Sequence, residues 1–477
     1  MRNTKIICTL GPAVDNEDAV RELILSGLDA ARFNFSHGDY EQHSERLNRF
    51  RKVESELDRK IPCILDTKGP EIRLGKFDTP VTLNPGDEFI LTTEEVIGDS
   101  HKATISHKGL PKDVIVGTTI LLDDGLVELE VKSISNTEIA CTVKNQGTVS
   151  SNKGVNVPNT KTSLPSLTEK DVNDLKFGAD NNFDYVAASF IRTKEDILII
   201  KKYLENFGKP DIKVIAKIEN QEGIDNFDDI LSVSDGIMVA RGDLGVEVPV
   251  EKLPGLQKMM IKKTVHAGKI VITATQMLDS MIKNPRPTRA EVSDVANAII
   301  DGTSAIMLSG ETANGSYPIE ALRTMSKIAE EAESHMDYGS LDAPINIKDA
   351  NLNDKDIYRQ CINFSVYVTA KILQTKAILC VSEEGKSPKV LSKFRPSCPI
   401  LVVTPNEKCA KQLSLEWGIK AAYIPEVEGF DEKLNAGIEK FKMLGILEKG
   451  DSVVLSGGAT HSEDSLSRQM LGGILKV

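Results

Sequence analysis

Short apolar runs alternate with longer amphipathic segments along most of the chain. KIICTL (5–10) precedes a helical pattern at 16–27, LDAARFNF (28–35) precedes a charged, helix-like stretch at 40–59, and IPCILDT (61–67) ends this first series. The alternation resumes after residue 165 with DYVAASF (184–190), KVIAKIEN (213–220), DGIMVARGD (235–243), KIVITATQ (269–276) and TSAIMLSGE (303–311), each followed by a helix-like segment. The runs are rich in Val, Ile and Ala and lack polar alternation, the pattern of strands buried on both faces of a parallel sheet. About eight such units lie between residues 5 and 335. Eight consecutive βα units predict a closed (β/α)8 barrel of the TIM type.

The interruption has another texture. VTLNPGDEFILTT (81–93), TTILLDDGLVELEVKSI (118–134) and TEIACTVKNQGTV (137–149) alternate, favour β-branched residues and are broken by Gly, Asn and Asp. That pattern predicts short antiparallel strands. Residues 70–165 therefore form an inserted small β-barrel, a lid on the barrel's active face, between catalytic segments 1–69 and 166–340. After about residue 350 new apolar runs, AILCVS (377–382), PILVVT (399–404), AAYIP (421–425) and SVVLSG (452–457), predict an open α/β sheet in a C-terminal domain, 341–477.

Length agrees with this division: 477 residues suit about three domains at ~100–200 residues each. A net charge of −12 and a pI near 5.3 argue against a nucleic-acid or anionic-membrane binder. No apolar run approaches the ~20 residues of a membrane span. The opening MRNTKIICTLGP has no signal-peptide core. Seven scattered cysteines without a CxxC pair argue against a disulfide framework or a zinc site. A cytoplasmic location is expected.

In such barrels the reacting groups gather where the strands end. The second run ends in Arg32, Asn34, Ser36 and His37. The third ends in Asp66, Thr67 and Lys68, with Glu71 and Arg73 beyond. The fourth ends in Ser189 and Arg192, the fifth in Lys217, Glu219 and Asn220, and the sixth in Arg241, Gly242 and Asp243. The last two end in Thr273, Thr275 and Gln276, and in Ser309 and Glu311. One such ending is an ordinary strand terminus. Seven on one rim suit a multiply charged anion held with metal ions. Glu219 and Asp243 offer hard oxygens for Mg2+ or Mn2+. Lys217 lies two residues before Glu219, so on a strand both point the same way. An ammonium there suits a phosphoryl group that gains charge during transfer. Arg32 and Arg73 offer forked phosphate donors or surface ion pairs. Asn34, Ser36, Asp66 and Thr67 suit a monovalent cation, or equally helix caps and turns. Arg241–Gly242–Asp243 also spells a cell-adhesion signal, but it abuts a buried run in a chain without an export signal.

ARFNFSHG (31–38), DTKGPEIR (66–73), KIEN (217–220), MVARGDLG (238–245), ATQMLDSM (274–281) and MLSGETA (307–313) together resemble the signature segments of pyruvate kinases, in that family's order. The resemblance implies phosphoryl transfer from phosphoenolpyruvate to ADP, giving pyruvate and ATP in glycolysis, in a homotetramer. It implies that Glu219 and Asp243 hold Mg2+ or Mn2+, and that Lys217 stabilises the transferring group. It places Thr275 near the enolate, and Arg32 and Arg73 on phosphates. The substrate carboxylate would meet the N–H groups around Arg241, Gly242 and Asp243. Asn34, Ser36, Asp66 and Thr67 would bind K+, with Glu71 marking K+ dependence. Asn34, His37, Arg73 and Lys153 would contact nucleotide, although HGDYEQH (37–43) displaces the usual aromatic to Tyr40. Ser382, Gly385, Lys386 and Ser387 in SEEGKSP resemble an effector-phosphate loop, in which Glu383 and Glu384 would repel an anion. SGGATHSE (456–463) superficially resembles a phosphohistidine segment, but its spacing suits a turn with solvent-facing His461. A metal-dependent aldolase or lyase barrel is the nearest other enzyme, and it needs neither lid nor ADP.

Overall fold

The computed structural model describes residues 2–336, 354–425, 427, 429–458, 469–470 and 473–477. The expected domain boundary at 340/341 and His461 lie outside these residues. The chain forms two compact units, Met1–Leu65 with Asn182–Tyr185 and Lys258–Val477, and Asp66–Asn181 with Val186–Gln257.

Eight strands form a closed barrel: β1 (Lys5–Thr9), β2 (Ala30–Asn34), β3 (Cys63–Asp66), β4 (Tyr185–Ala188), β5 (Lys213–Ile218), β6 (Gly236–Ala240), β7 (Ile270–Ala274) and β8 (Ala305–Leu308). Their order around the barrel is β1-β8-β7-β6-β5-β4-β3-β2. The pairings β1 with β2, β1 with β8, β5 with β6 and β7 with β8 are parallel. Every residue of β1, β3, β4, β6, β7 and β8 is buried. This double-sided burial is why those runs carry no polar alternation. The crossing helices start on designed caps. Asn16, Asp39 and Asn220 each accept a backbone N–H at a helix start, and Thr168 with Asp171 forms a reciprocal capping box.

The insert carries a seven-stranded sheet and a separate pair, Val81–Leu83 with Gly147–Val149. The two outer strands of the sheet, Ile72–Arg73 and Lys102–Thr104, are joined by a Leu74–Ile105 bridge and by Gly75 N–H to Thr104 O at 2.8 Å. Closing the edges in this way removes unpaired backbone groups that would template aggregation. The inward positions of the alternating strands, among them Phe89, Leu91, Leu129 and Cys141, make one apolar core.

The C-terminal sheet runs β11-β10-β9-β12, with β9 (Ala377–Val381), β10 (Ile400–Thr404), β11 (Ile419–Tyr423) and β12 (Ser452–Gly458) parallel. β13 (Gln469–Met470) and β14 (Ile474–Lys476) add antiparallel to β12. Two separate apolar clusters, one around Ile378 and Val402 and one around Leu379 and Val403, show that both faces are covered. Within its compact unit this sheet docks on the start of the barrel strands. Lys5 Nζ donates to Ile419 O at 2.6 Å, and Gly418 N–H donates to Asn3 O at 3.0 Å. Arg395 donates to Gly302 O at 2.8 Å and lies 4.7 Å over the ring of Trp417, which is buried.

Candidate active site

Lys217 and Glu219 leave the end of β5 on the same side, as their spacing predicts, and both are buried. The Lys217 ammonium donates to Ser189 Oγ at 2.6 Å and to Asp66 Oδ1 at 3.1 Å, and lies 3.0 Å from Glu219 Oε1. Ser189 is fixed in turn at the end of β4. Its hydroxyl donates to Thr67 O at 2.6 Å and its N–H to Thr67 Oγ1 at 3.1 Å. One cation thus faces two buried carboxylates. Burial, followed by the neighbouring Asp243, pushes the Glu219 carboxyl up to about 7, and the Lys217 charge offsets only part of this.

Excess buried carboxylate of this kind fits a divalent cation. Among the described residues no three His, Cys, Asp or Glu side chains surround one point. A Mg2+ or Mn2+ ion here would therefore take its remaining ligands from substrate and water, which is the habit of Mg2+.

Arg241 opens the short helix Arg241–Glu247 directly after β6, with its side chain buried and Nη1 3.5 Å from Gln257 Oε1. Its guanidinium thus has a protein partner. Glu247, at the other end of that helix, accepts from Asn156 Nδ2 of the insert at 2.8 Å, and burial raises its carboxyl.

A cleft of about 500 Å³ opens beside these groups, lined by Arg73, Lys153, Asp124, Asp243 and Glu247 among others. Arg73 grips Glu71 with two bonds, Nε at 2.7 Å and Nη2 at 2.8 Å, and donates from Nη1 to Asn152 O at 2.6 Å. Lys68 adds a third contact to Glu71 at 2.9 Å, and Lys153 pairs with Asp123 at 3.0 Å. The Asp124 carboxyl is raised by burial, then by Asp243 and Asp123. Arg192 holds the segment returning from the insert by the carbonyls of Thr162, Leu164 and Pro165, at 3.3, 2.9 and 3.2 Å.

The other compact unit brings a second set together. Arg32 is buried at the end of β2 and donates from Nη1 to Thr9 Oγ1 at 2.9 Å. The Thr9 hydroxyl in turn donates to Leu308 O at 2.9 Å. Asn34 Oδ1 accepts the Ser36 N–H at 3.1 Å, the turn role weighed for this pair. His37 offers its carbonyl to His43 Nε2 at 2.9 Å. Thr275 and Gln276 both hold left-handed backbone, φ +66 and +52, and a β-branched residue there is an outlier. Glu311, buried, accepts the N–H groups of Leu278 at 3.0 Å and Ser309 at 2.7 Å, and so ties the ends of β7 and β8 together. Asn34 and Ser36 thus gather in one unit, and Asp66 and Thr67 in the other.

In the C-terminal sheet, Ser382 Oγ accepts Gly385 N–H at 3.0 Å, and Gly385 takes φ +73 just before the helix Lys386–Lys393, which contains Ser387. Glu384 pairs with Lys386, and Glu383 lies 3.4 Å from Lys433. The two glutamates therefore occupy the cations that an anion would need.

Phe190, Asn156, Asp124 and Glu247 also line the cleft, although the strand endings do not single them out. Of these, the DDG turn following an alternating strand was visible, whereas the others are placed by tertiary contact.

The profile of the pyruvate kinase barrel domain matches residues 1–322, and that of the pyruvate kinase alpha/beta domain matches residues 360–466. A pyruvate kinase of Clostridium acetobutylicum is 49% identical over 460 residues, 96% of each chain. One of Staphylococcus aureus is 46% identical over 473 residues, 98% of this chain and 80% of its own. The crystal structure of a pyruvate kinase from Cryptosporidium parvum superposes with a TM-score of 0.92 at 37% identity, covering 100% of this chain and 96% of that one. The fold and these relatives mark the chain as a phosphotransferase built on a parallel barrel. More narrowly, the chain belongs to the pyruvate kinase family.

Proposed function

We propose that this chain moves the phosphoryl group of phosphoenolpyruvate to ADP, yielding pyruvate and ATP. The phosphorus–oxygen bond to the enol breaks, a bond to an ADP terminal oxygen forms, and the enolate carbon takes a proton. The observation that carries this reading is Lys217, a buried ammonium bounded by Glu219, Asp66 and Ser189. A cation fixed before reaction stabilises the charge that spreads over the transferring group without reorganising solvent.

Glu219 and Asp243 hold Mg2+ or Mn2+, which when bound supplies positive charge to substrate oxygens. Arg32 orients phosphate from a side chain already held by Thr9. Arg73 and Lys153 take nucleotide phosphate by exchanging their bonds to Glu71 and Asp123, and Asn34 and His37 are the further nucleotide contacts of this reading. The N–H groups at Arg241, Gly242 and Asp243 receive the substrate carboxylate. Thr275 stands by the enolate, and its strained backbone fixes where the hydroxyl lies. Asn34, Ser36, Asp66 and Thr67 bind K+. Residues 70–165 act as a lid that keeps water from the transferring group.

The family's homotetramer and a cytoplasmic setting complete the proposal. Among the described residues no helix is long and apolar enough to cross a membrane. Effector binding at Ser382, Gly385, Lys386 and Ser387 is disfavoured by the Glu383 and Glu384 pairings. The test is steady-state turnover coupled to lactate dehydrogenase, omitting ADP, Mg2+ and K+ in turn. Pyruvate formation that ignores ADP would point to a lyase instead.

A further inference from the structure

Two adjacent residues at the end of β4 serve the two reacting groups of β5. Ser189 Oγ accepts the Lys217 ammonium, and the Phe190 N–H donates to Glu219 Oε2. Phe190 can aim its N–H there only because its backbone is left-handed, at φ +55. A bulky aromatic in that region is strained and persists only where its surroundings enforce it.

The enforcing elements are identifiable. Gly69, itself at φ +74, lies against the Phe190 ring, and a β-carbon there would fall 2.8 Å from Phe190 Cδ2 and 2.8 Å from Ser189 Cβ. Gly69 is held by its N–H to Asp171 Oδ1 at 2.9 Å. The other oxygen of the fully buried Asp171 closes the Thr168 capping box, so that a helix start anchors the turn. Thr67 grips Ser189 from the same side.

We propose that Phe190 is a positioning residue whose left-handed backbone, braced by Gly69 and Asp171, fixes the Glu219 carboxylate in the orientation that receives the divalent cation. The role belongs to the peptide N–H and not to the ring. Such outer partners of metal ligands are worth ~10–100-fold in metal affinity. The inference rests on the reading that Glu219 holds the cation.

The test is Mn2+ binding to the full chain without substrates, followed by the electron paramagnetic resonance signal of free Mn2+. Glycine adopts left-handed backbone freely and asparagine tolerates it, whereas a β-branched residue does not. Phe190→Gly and Phe190→Asn are expected to bind Mn2+ within about threefold of the parent, and Phe190→Val about tenfold more weakly. Parent-like binding by Phe190→Val overturns the proposal. So does loss of binding in the glycine and asparagine variants, a result that stands even if the valine variant does not fold. Glu219→Gln separates this from the underlying reading. If it binds Mn2+ as the parent does, the assignment of Glu219 fails. If it loses Mn2+ while Phe190→Val keeps it, only the positioning role fails.

Discussion

The Lys217 ammonium lies 3.0 Å from Glu219 Oε1, two residues further along the same strand. The pair is buried, yet the Asp66 and Asp243 carboxylates nearby leave the lysine outnumbered. Lys217→Met removes a cation that acts on the transition state. Turnover should fall by about 10²-fold or more. Mn2+ affinity should be retained, because losing a cation only strengthens the field at Glu219. Near-normal turnover in steady-state assays would refute the role given to Lys217.

Glu71 spends both oxygens on Arg73 and meets Lys68 as well, so no free ammonium is offered to the site from this turn. Under the proposed function, with Asn34, Ser36, Asp66 and Thr67 as its ligands, activity is expected to require K+. Replacing K+ by Na+ at constant ionic strength should lower turnover sharply. Equal rates in the two salts would remove the monovalent site.

Lys5 is buried at the start of β1, and burial, more than any neighbour, lowers its ammonium from 10.5 to about 7. The like charges of Lys420 and Arg2 push the same way, while Asp29 and Glu333 oppose. Between pH 7 and about 10 the unfolded chain then binds the extra proton, so stability carried by this group rises with pH across that window. Lys5→Met should melt higher than the parent near neutral pH, with the gap shrinking towards pH 10. A gap independent of pH in calorimetric scans would show that Lys5 stays charged in the fold.

Arg192 bonds three carbonyls of the segment returning from the insert. Arg192→Ala should speed amide exchange in residues 160–166 and raise the KM for nucleotide several-fold. Exchange in the C-terminal sheet should stay as it was. Unaltered exchange at 160–166 would mean that the segment is held by other contacts.

The barrel was legible because burial on both faces erases polar alternation, and eight such runs in series leave few other folds. Lys217 and Glu219 were legible because alternate residues of a strand share a side. The support beneath them was hidden, since Ser189 meets Thr67 across 122 positions and Phe190 meets Glu219 across 29. No local pattern marks an aromatic that must turn left-handed. Asn156 and Glu247, 91 positions apart, are hidden for the same reason. At the other extreme, the Glu383 and Glu384 charges were read from sequence as an obstacle to anions, and their lysine partners supply the physical form of that obstacle.

The chain has one tryptophan, Trp417, and it sits beneath Arg395 where the C-terminal sheet meets the barrel strands. Its indole, excited selectively over the eight tyrosines, is therefore a ready-made optical probe of that junction, with no second tryptophan in the chain. A denaturation followed by its emission reads the loosening of this seam alone. Set beside the far-ultraviolet circular dichroism of the same sample, it reveals whether the C-terminal sheet parts from the barrel before the barrel itself melts.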